Sequence, residues 1–514
     1  MKLSYLPFCI TLLGATLTLS TSCKKSSAEV PPDNNYSMVD SVFTSGTPEG
    51  SAATGADAAD LVDNTTFTST VTINFGSSVT INNPLDGKGV IITQNLGDIT
   101  ITSSVAGVQY ELSGTTTDGS VKIYSNNDYK VNLNSVTITN SDGPALNLQS
   151  TKRAFIVLGA GTTSTLKDGA VYAASNEDQK GTLFAEGPVI FSGDGVLSVS
   201  GLYQHAICSD QRVRLRSGKL YADAVGDGIH TANFIADGGY AKVGNSANGI
   251  VVEGGAAIVN GGSLEVDIRK LGLTTLAVEG TDPYININGG SIYIRSTLGK
   301  GLQSAGDLTV NKGNVDAYVI YSSATADNPG VSAKKNIYIN GGYVGCKGYY
   351  GLHTDGNLTI TGGALIAYSY TSIASGIDCP SGTFKITGGN VLGAGKTTSV
   401  PDANSSTVNA LVLGGSSKVM HVGRINNGKE IMTFQPDEFF YTVLYASSKV
   451  VTDAQCDLFR GGSVYGNVGS DTVVATYGNL GGLYKTGLYI SDGRIADTSF
   501  KVSSRITMVG GLTK

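Results

Sequence analysis

Ile285-Asn286-Ile287-Asn288-Gly289-Gly290-Ser291-Ile292-Tyr293-Ile294 is the stretch on which the reading turns. Apolar residues alternate on both sides of an Asn-Gly-Gly turn. The same pattern returns at Ala257, Val259, Asn260-Gly261-Gly262, Leu264, Val266 and at Leu308, Val310, Asn311-Lys312-Gly313, Val315. It returns again at Ile337, Ile339, Asn340-Gly341-Gly342, Val344, then at Leu358, Ile360, Thr361-Gly362-Gly363, Leu365 and Phe384, Ile386, Thr387-Gly388-Gly389, Val391. Weaker copies sit at Val213-Leu215-Gly218-Leu220 and Phe234-Ala236-Gly238-Gly239. The turn glycines recur at roughly 21–29 residues, the length of one turn of a solenoid.

Alternation of period two marks strands with one inward and one outward face. Gly-Gly supplies backbone angles that a side chain resists, and Asn tolerates such turns. About ten residues further on, a second mark recurs: Gly228-Ile229, Gly249-Ile250, Gly272-Leu273, Gly301-Leu302, Gly351-Leu352 and Gly376-Ile377. It reads as a third side of each coil. No stretch keeps a helical period. The expected fold is all-β, a parallel β-helix with coils stacked about 4.8 Å apart. Asn260, Asn288, Asn311 and Asn340 then share one column, where stacked amides can bond one another, although Asn is equally a plain turn residue.

The 514 residues, 69 glycines and absence of Trp fit a solenoid, whose core grows with length. The formal net charge is −6 and no basic block offsets it, which argues against nucleic acid as a partner. Lys2 followed by the apolar run Leu6 to Leu19 reads as a signal peptide over residues 1–22. Leu19-Ser20-Thr21-Ser22-Cys23 resembles a bacterial lipobox, which implies lipid on the Cys23 thiol and a membrane-anchored protein. Ordinary signal cleavage with a spare cysteine is the alternative. Residues 23–60, rich in Ser, Ala, Gly, Pro and Asp, read as the lipidated tether. The β-helix is expected over 61–402, with wider, less regular coils before Gly187. Residues 403–514 are expected to form a small C-terminal antiparallel β cap, because an open solenoid end exposes core and unpaired backbone.

The motifs Tyr110-Glu111-Leu112-Ser113-Gly114, Leu133 to Ile138 with Asp142-Gly143-Pro144-Ala145, Ser164 to Gly169, Asp227-Gly228-Ile229 and Thr433-Phe434-Gln435-Pro436 carry a resemblance over about residues 60–445. The sequence resembles bacterial calcium-associated carbohydrate-binding proteins with a right-handed parallel β-helix, often lipoproteins, that bind polygalacturonate and cellulose. The resemblance implies a polysaccharide ligand and calcium as a cofactor. Asp-Gly-Ile becomes Asn248-Gly249, Leu271-Gly272 and Lys300-Gly301 in later coils, so fewer calcium sites are expected here.

Two outward columns are expected, one through Tyr221, Lys242, Glu265, Tyr293 and Asp316, the other through Asp223, Gly244, Asp267, Arg295, Tyr318, Lys347 and Tyr368. Calcium takes six to eight oxygens, for which Asp223, Asp227, Asn248, Glu265 and Asp267 are the candidates. A solvated face with ion pairs such as Asp267–Arg295 is the competing reading. Tyr293, Tyr318, Tyr349, Tyr350 and Tyr368, with Arg295 and Lys347, are the candidate sugar-binding residues, since a tyrosine ring offers flat apolar area with a polar tip. Tyr is equally an ordinary strand residue. Arg212, Arg214 and Arg216 alternate on one strand and face outward together, toward sugar carboxylates; the alternative is that Arg216 simply pairs with Asp237 one coil on. His205, His230, His353 and His421 lie far apart in sequence and form no evident acid/base pair. A non-catalytic, cell-envelope protein that binds acidic polysaccharide is the expected function. A pectate-type lyase and an adhesin for protein partners are the alternatives.

Overall fold

The computed structural model describes residues 46–510, apart from 321–326, 372, 418–419, 425–429, 437–439, 461–462, 466–483, 486–487 and 491–497. The proposed signal peptide, Cys23 and the tether as far as residue 45 lie outside the described residues. Everything described belongs to the compact unit Tyr36–Lys514. Among the described residues no helix is long and apolar enough to cross a membrane.

The chain winds as a parallel β-helix with three stacked sheets. The first sheet holds the strands that follow the turn glycines, such as Lys219–Ala224, Tyr240–Gly244, Ser263–Ile268, Ser291–Ser296 and Asn314–Val319. The second holds the strands at the Gly-Ile marks, such as Asn248–Glu253 and Leu302–Ser304. The third holds those that precede each turn, such as Ala256–Val259, Tyr284–Ile287 and Ile337–Ile339. Parallel register joins Leu220, Ala241, Leu264, Ile292, Val315, Val344, Leu365 and Val391 into one inward column, every member buried. Each added coil extends the apolar core by one rung.

The expected Asn ladder is present. Nδ2 of Asn288 donates to Asn260 Oδ1 (2.9 Å), Asn311 to Asn288 (2.8 Å) and Asn340 to Asn311 (2.8 Å). Asn260 closes the lower end on Asp237 Oδ1 (2.9 Å), and the Thr361 hydroxyl closes the upper end on Asn340 Oδ1 (2.8 Å).

Residues 46–60, read from composition as free tether, instead lie along the coils as a strap. The second hydrogen of each ladder amide goes to strap backbone: Asn340 to Glu49 O (2.7 Å), Asn311 to Ser51 O (2.9 Å), Asn288 to Ala53 O (2.9 Å) and Asn260 to Thr54 O (2.8 Å). Glu49 N in turn donates to Asn340 Oδ1 (3.0 Å) and Ser51 N to Thr309 Oγ1 (3.2 Å). The strap ends in two short 3-10 turns, Ala58–Asp60 and Val62–Asn64. Small polar residues resemble a linker in composition, but here their backbone groups complete a side-chain ladder.

The early coils are irregular as expected, with one addition. Ser69–Phe75 pairs antiparallel with Thr80–Asn82, and Val90–Asn95 with Asp98–Ser103, which closes the N-terminal end. At the other end Phe440–Ala446 pairs antiparallel with Asn390–Gly395 and with Ala410–Ser417. A second antiparallel sheet includes Met420–Arg424, Glu430–Pro436 and Gln455–Arg460. The antiparallel cap is therefore there. It also folds back over the outward face of the last coils: Tyr343, Ile366, Tyr368 and Leu392 pack in one cluster with Val443, Tyr445, Val450 and Leu458.

Candidate carbohydrate-binding groove

The two outward columns of the first sheet align as their register requires. Tyr221, Lys242, Glu265, Tyr293 and Asp316 follow one another, and so do Asp223, Gly244, Asp267, Arg295, Tyr318, Lys347 and Tyr368. Along the coils between Ser200 and Thr297 the second column and the corner beyond it border an open groove of ≈ 860 Å³. Its walls include Asp223, Lys242, Asp267, Arg269, Arg295 and Leu202.

Charges on the groove are mostly paired along the stack. Lys242 Nζ meets Glu265 Oε1 at 2.5 Å, and the Tyr240 hydroxyl donates to Glu265 Oε2 at 2.7 Å. Arg295 holds both oxygens of Asp267 through Nε (2.9 Å) and Nη2 (2.5 Å), the fork geometry that matches a carboxylate. Burial raises and these partners more than offset the Glu265 pKa, so its carboxyl stays below its ordinary value. Two groups stand outside the pairing. Among the described residues Asp223 and Arg269, both exposed, make no ion pair. Arg269 follows the last residue of its strand, Ile268, and stands at the corner of the coil. Column counting from the turn glycine stops short of it. The adjacent basic residues Arg269-Lys270 were the available signal.

The candidate calcium residues do not form one oxygen cage. Asp223 and Asp267 are two coils apart in their column, roughly 10 Å, beyond the reach of one ion bonded to both. Glu265 and Asp267 are committed to cations. Asp227 lies on the second sheet, where Asn248 Nδ2 donates to its Oδ1 (2.7 Å) and His230 Nδ1 lies 2.8 Å from its Oδ2. His205 Nδ1 is 3.4 Å from that same oxygen and accepts the Asp227 N–H (3.1 Å). Burial pushes His205 down to about 4, against the pull of Asp227. The sequence spacing hid this cluster, because His205 and His230 are brought together by one turn of winding.

The proposed tyrosine platform divides. Tyr293 is half-buried and lies two residues before Arg295, which lines the groove; Tyr293 itself is not on the groove wall. Tyr318, Lys347 and Tyr368 are buried and present no surface to a ligand. The cap covers Tyr368, and the Lys347 ammonium sits 5.4 Å above its ring. Tyr318 donates its hydroxyl to the buried Asp316 (2.6 Å). Tyr349 and Tyr350 lie on another corner of the coil and pack edge to face, and Tyr350 stacks on His353. His353 is held between Asp378 (2.7 Å) and Asp355 (2.9 Å). Arg212 and Arg214 turn to the strap rather than to a ligand, and Arg216 reaches Asp237 at 3.5 Å.

Burial of Asp316 pushes its carboxyl up to about 6, although the Tyr318 hydroxyl opposes the rise. The folded chain therefore prefers the protonated acid. That preference is in full force below the ordinary value of 3.8 and is lost as pH rises through about 6. Asp316→Asn keeps an acceptor for Tyr318. It is expected to flatten the pH dependence of stability between those values, and to stabilise the protein at pH 8 by on the order of 3 kcal/mol. Denaturant midpoints of both proteins across that range check it.

The family described as "Carbohydrate-binding domain-containing protein" matches residues 96–373, more than half of the chain, and the match includes the groove. No curated protein matches the chain. Among solved structures, the polysaccharide lyase-like protein from C. thermocellum, in a gadolinium derivative, is similar at 20% identity with a TM-score of 0.37. That similarity covers 57% of this chain and 96% of the other. At that score it carries no argument about function. From the family match, the chain belongs to the carbohydrate-binding domain-containing proteins.

Proposed function

We propose that the chain is a non-catalytic, cell-envelope carbohydrate-binding lipoprotein, anchored through lipid on Cys23, that holds an acidic polysaccharide such as polygalacturonate in the first-sheet groove. The observation that carries the reading is Arg269, an exposed guanidinium on the groove with no carboxylate of its own among the described residues. A chain of net charge −6 repels a polyanion at long range, so short-range forks must supply the attraction. Arg295, two coils above Gly244 in the same column, adds a second guanidinium beside Tyr293, whose ring offers apolar area to a sugar face. No shared calcium ion is assigned to Asp223, Asp227, Asn248, Glu265 and Asp267, because Asp223 and Asp267 stand two coils apart and Asp227 and Asn248 lie on the second sheet.

The test is binding of the full-length protein to polygalacturonate, with calcium and with chelator, while unsaturated product is monitored. Arg269→Ala is expected to weaken binding about 10-fold and to lower its salt dependence. Undiminished binding by that variant removes the groove from the reading. Unsaturated product moves the protein to the lyases. Binding that vanishes in chelator restores calcium as the bridging ion, at residues other than this set.

A further inference from the structure

We propose that His205, Asp227 and His230 form a binding site for a late first-row divalent cation, with Zn²⁺ as its probe. The site belongs to the second sheet and is independent of the polysaccharide reading. Winding brings its three residues together: Asp227 and His230 lie on Asp227–Ala236, and His205 lies one coil below on His205–Leu215. One oxygen, Asp227 Oδ2, is the focus. His230 Nδ1 lies 2.8 Å from it and His205 Nδ1 3.4 Å from it. Ligand atoms about 2.0–2.2 Å from a tetrahedral zinc stand about 3.4 Å from one another. The His205 separation matches that edge, and the His230 separation, a hydrogen bond, lengthens by about 0.6 Å to reach it. Every pair of the three donor atoms lies within 4.8 Å.

The surrounding groups hold the three donors close together. Asn248 occupies Asp227 Oδ1 at 2.7 Å and leaves Oδ2 turned toward the imidazoles. Glu253 Oε2 lies 3.4 Å from His230 Nε2, so the ring's outer nitrogen faces a carboxylate while Nδ1 points inward. A carboxylate behind a ligating histidine fixes the tautomer that leaves the inner nitrogen free to bind. The two imidazoles stack at 4.5 Å between centroids, 16° from parallel, so one ring tilts out of the stack to bring both in-plane Nδ1 lone pairs to one ion. The His205 and Asp227 side chains are 8% and 9% exposed and His230 23%, so the site opens to water on the His230 side only. Water can complete the coordination there. Two nitrogens and one oxygen suit zinc, copper or nickel, whereas calcium needs an all-oxygen shell. Binding would displace two protein hydrogen bonds, the Asp227 N–H that His205 Nδ1 accepts at 3.1 Å and the one between His230 Nδ1 and Asp227 Oδ2 at 2.8 Å.

The full chain, untagged, is titrated with Zn²⁺ against a chromophoric chelator, and Co²⁺ is used to report coordination by its visible absorption. The expected result is one tight equivalent, a cobalt spectrum of a low-coordinate nitrogen–oxygen site, and a rise in Tm with zinc. His230→Ala should weaken that affinity by about 100-fold or more, and Glu253→Gln by about 10-fold. His353→Ala is the control. Its ring nitrogens bond two different carboxylates, Asp378 and Asp355, and share no focus, so affinity should not change. Asp227→Asn tests the focal oxygen; because that residue is buried, His230→Ala carries the test if the Asp227 variant does not fold. A wild-type chain that takes up no zinc overturns the proposal, and so does a folded His230→Ala protein that binds as tightly as wild type.

Discussion

Asp60→Ala is expected to speed amide exchange at Glu49 and Ser51 by about 100-fold or more, because the variant frees the strap from the coils. Asp60 is fully buried, and its carboxylate holds three guanidiniums. Oδ1 accepts from Arg153 Nε (2.9 Å) and Arg212 Nη2 (2.7 Å), and Oδ2 from Arg214 Nη1 (3.1 Å). Arg214 is itself buried and also holds Asp237 (2.7 Å) and the Gly55 carbonyl (2.8 Å). Truncating one partner of such a network leaves buried charge without compensation, which costs about 3–5 kcal/mol. Asp57 cannot replace it. Its Oδ1 is spent on the Ala59 amide, and its Oδ2 reaches Arg153 at 2.9 Å and Arg212 at 3.4 Å. Asp60→Asn keeps the shape and one acceptor oxygen and should lose roughly half as much. Exchange at Glu49 and Ser51 in Asp60→Ala that matches wild type would mean that the Asn ladder alone retains the strap.

Gly342→Ala is the second large effect, with an expected loss of about 3 kcal/mol or more in the resistance of its coils to denaturant. Gly342 has a φ of +71°, in the left-handed region, and a Cβ there would stand 2.2 Å from the Gly313 carbonyl oxygen. That oxygen is main chain in the stacked turn one coil below, and it already accepts the Tyr343 N–H at 2.9 Å. Neither side can yield without breaking the rung. Because each coil contacts only its neighbours, the damage should be local. Hydrogen exchange is expected to rise in the strands Asn314–Val319 and Tyr343–Gly348 and to stay unchanged in Lys219–Ala224. A uniform loss of protection along the whole β-helix would contradict this.

These two variants also mark what could be read beforehand. The turn at Gly342 was legible because its glycine pair recurs at the coil length, and the Asn column followed from the same register. The strap was not, because composition describes Gly46 to Asp60 as linker, and only the folded ladder supplies partners for its carbonyls. The outward columns aligned as counted, yet their meaning changes along the stack. Tyr221, Lys242 and Glu265 face the groove side, whereas Gly345, Ile366 and Leu392 continue the same column under the cap. That switch from polar to apolar was present in the sequence. Counting tyrosines without weighing the apolar residues beside them placed Tyr318 and Tyr368 on a surface that is covered. Glu265 and Asp267 pair with Lys242 and Arg295 for a related reason. In a parallel stack the nearest neighbours of a side chain come from the next coil, so a basic residue at the same position claims the carboxylate first.

The strap also has a direction. Gly46 N bonds the Thr361 carbonyl among the late coils, while Asp60 is held by Arg153, Arg212 and Arg214 among the early ones. A pull on the residues before Gly46, along the solenoid axis and away from the early coils, therefore loads the Asn bonds and the Asp60 clasp in shear, so that many must fail together. A sideways pull peels the same contacts off singly. The attachment of the strap is therefore expected to resist load along the solenoid axis and to yield to load across it.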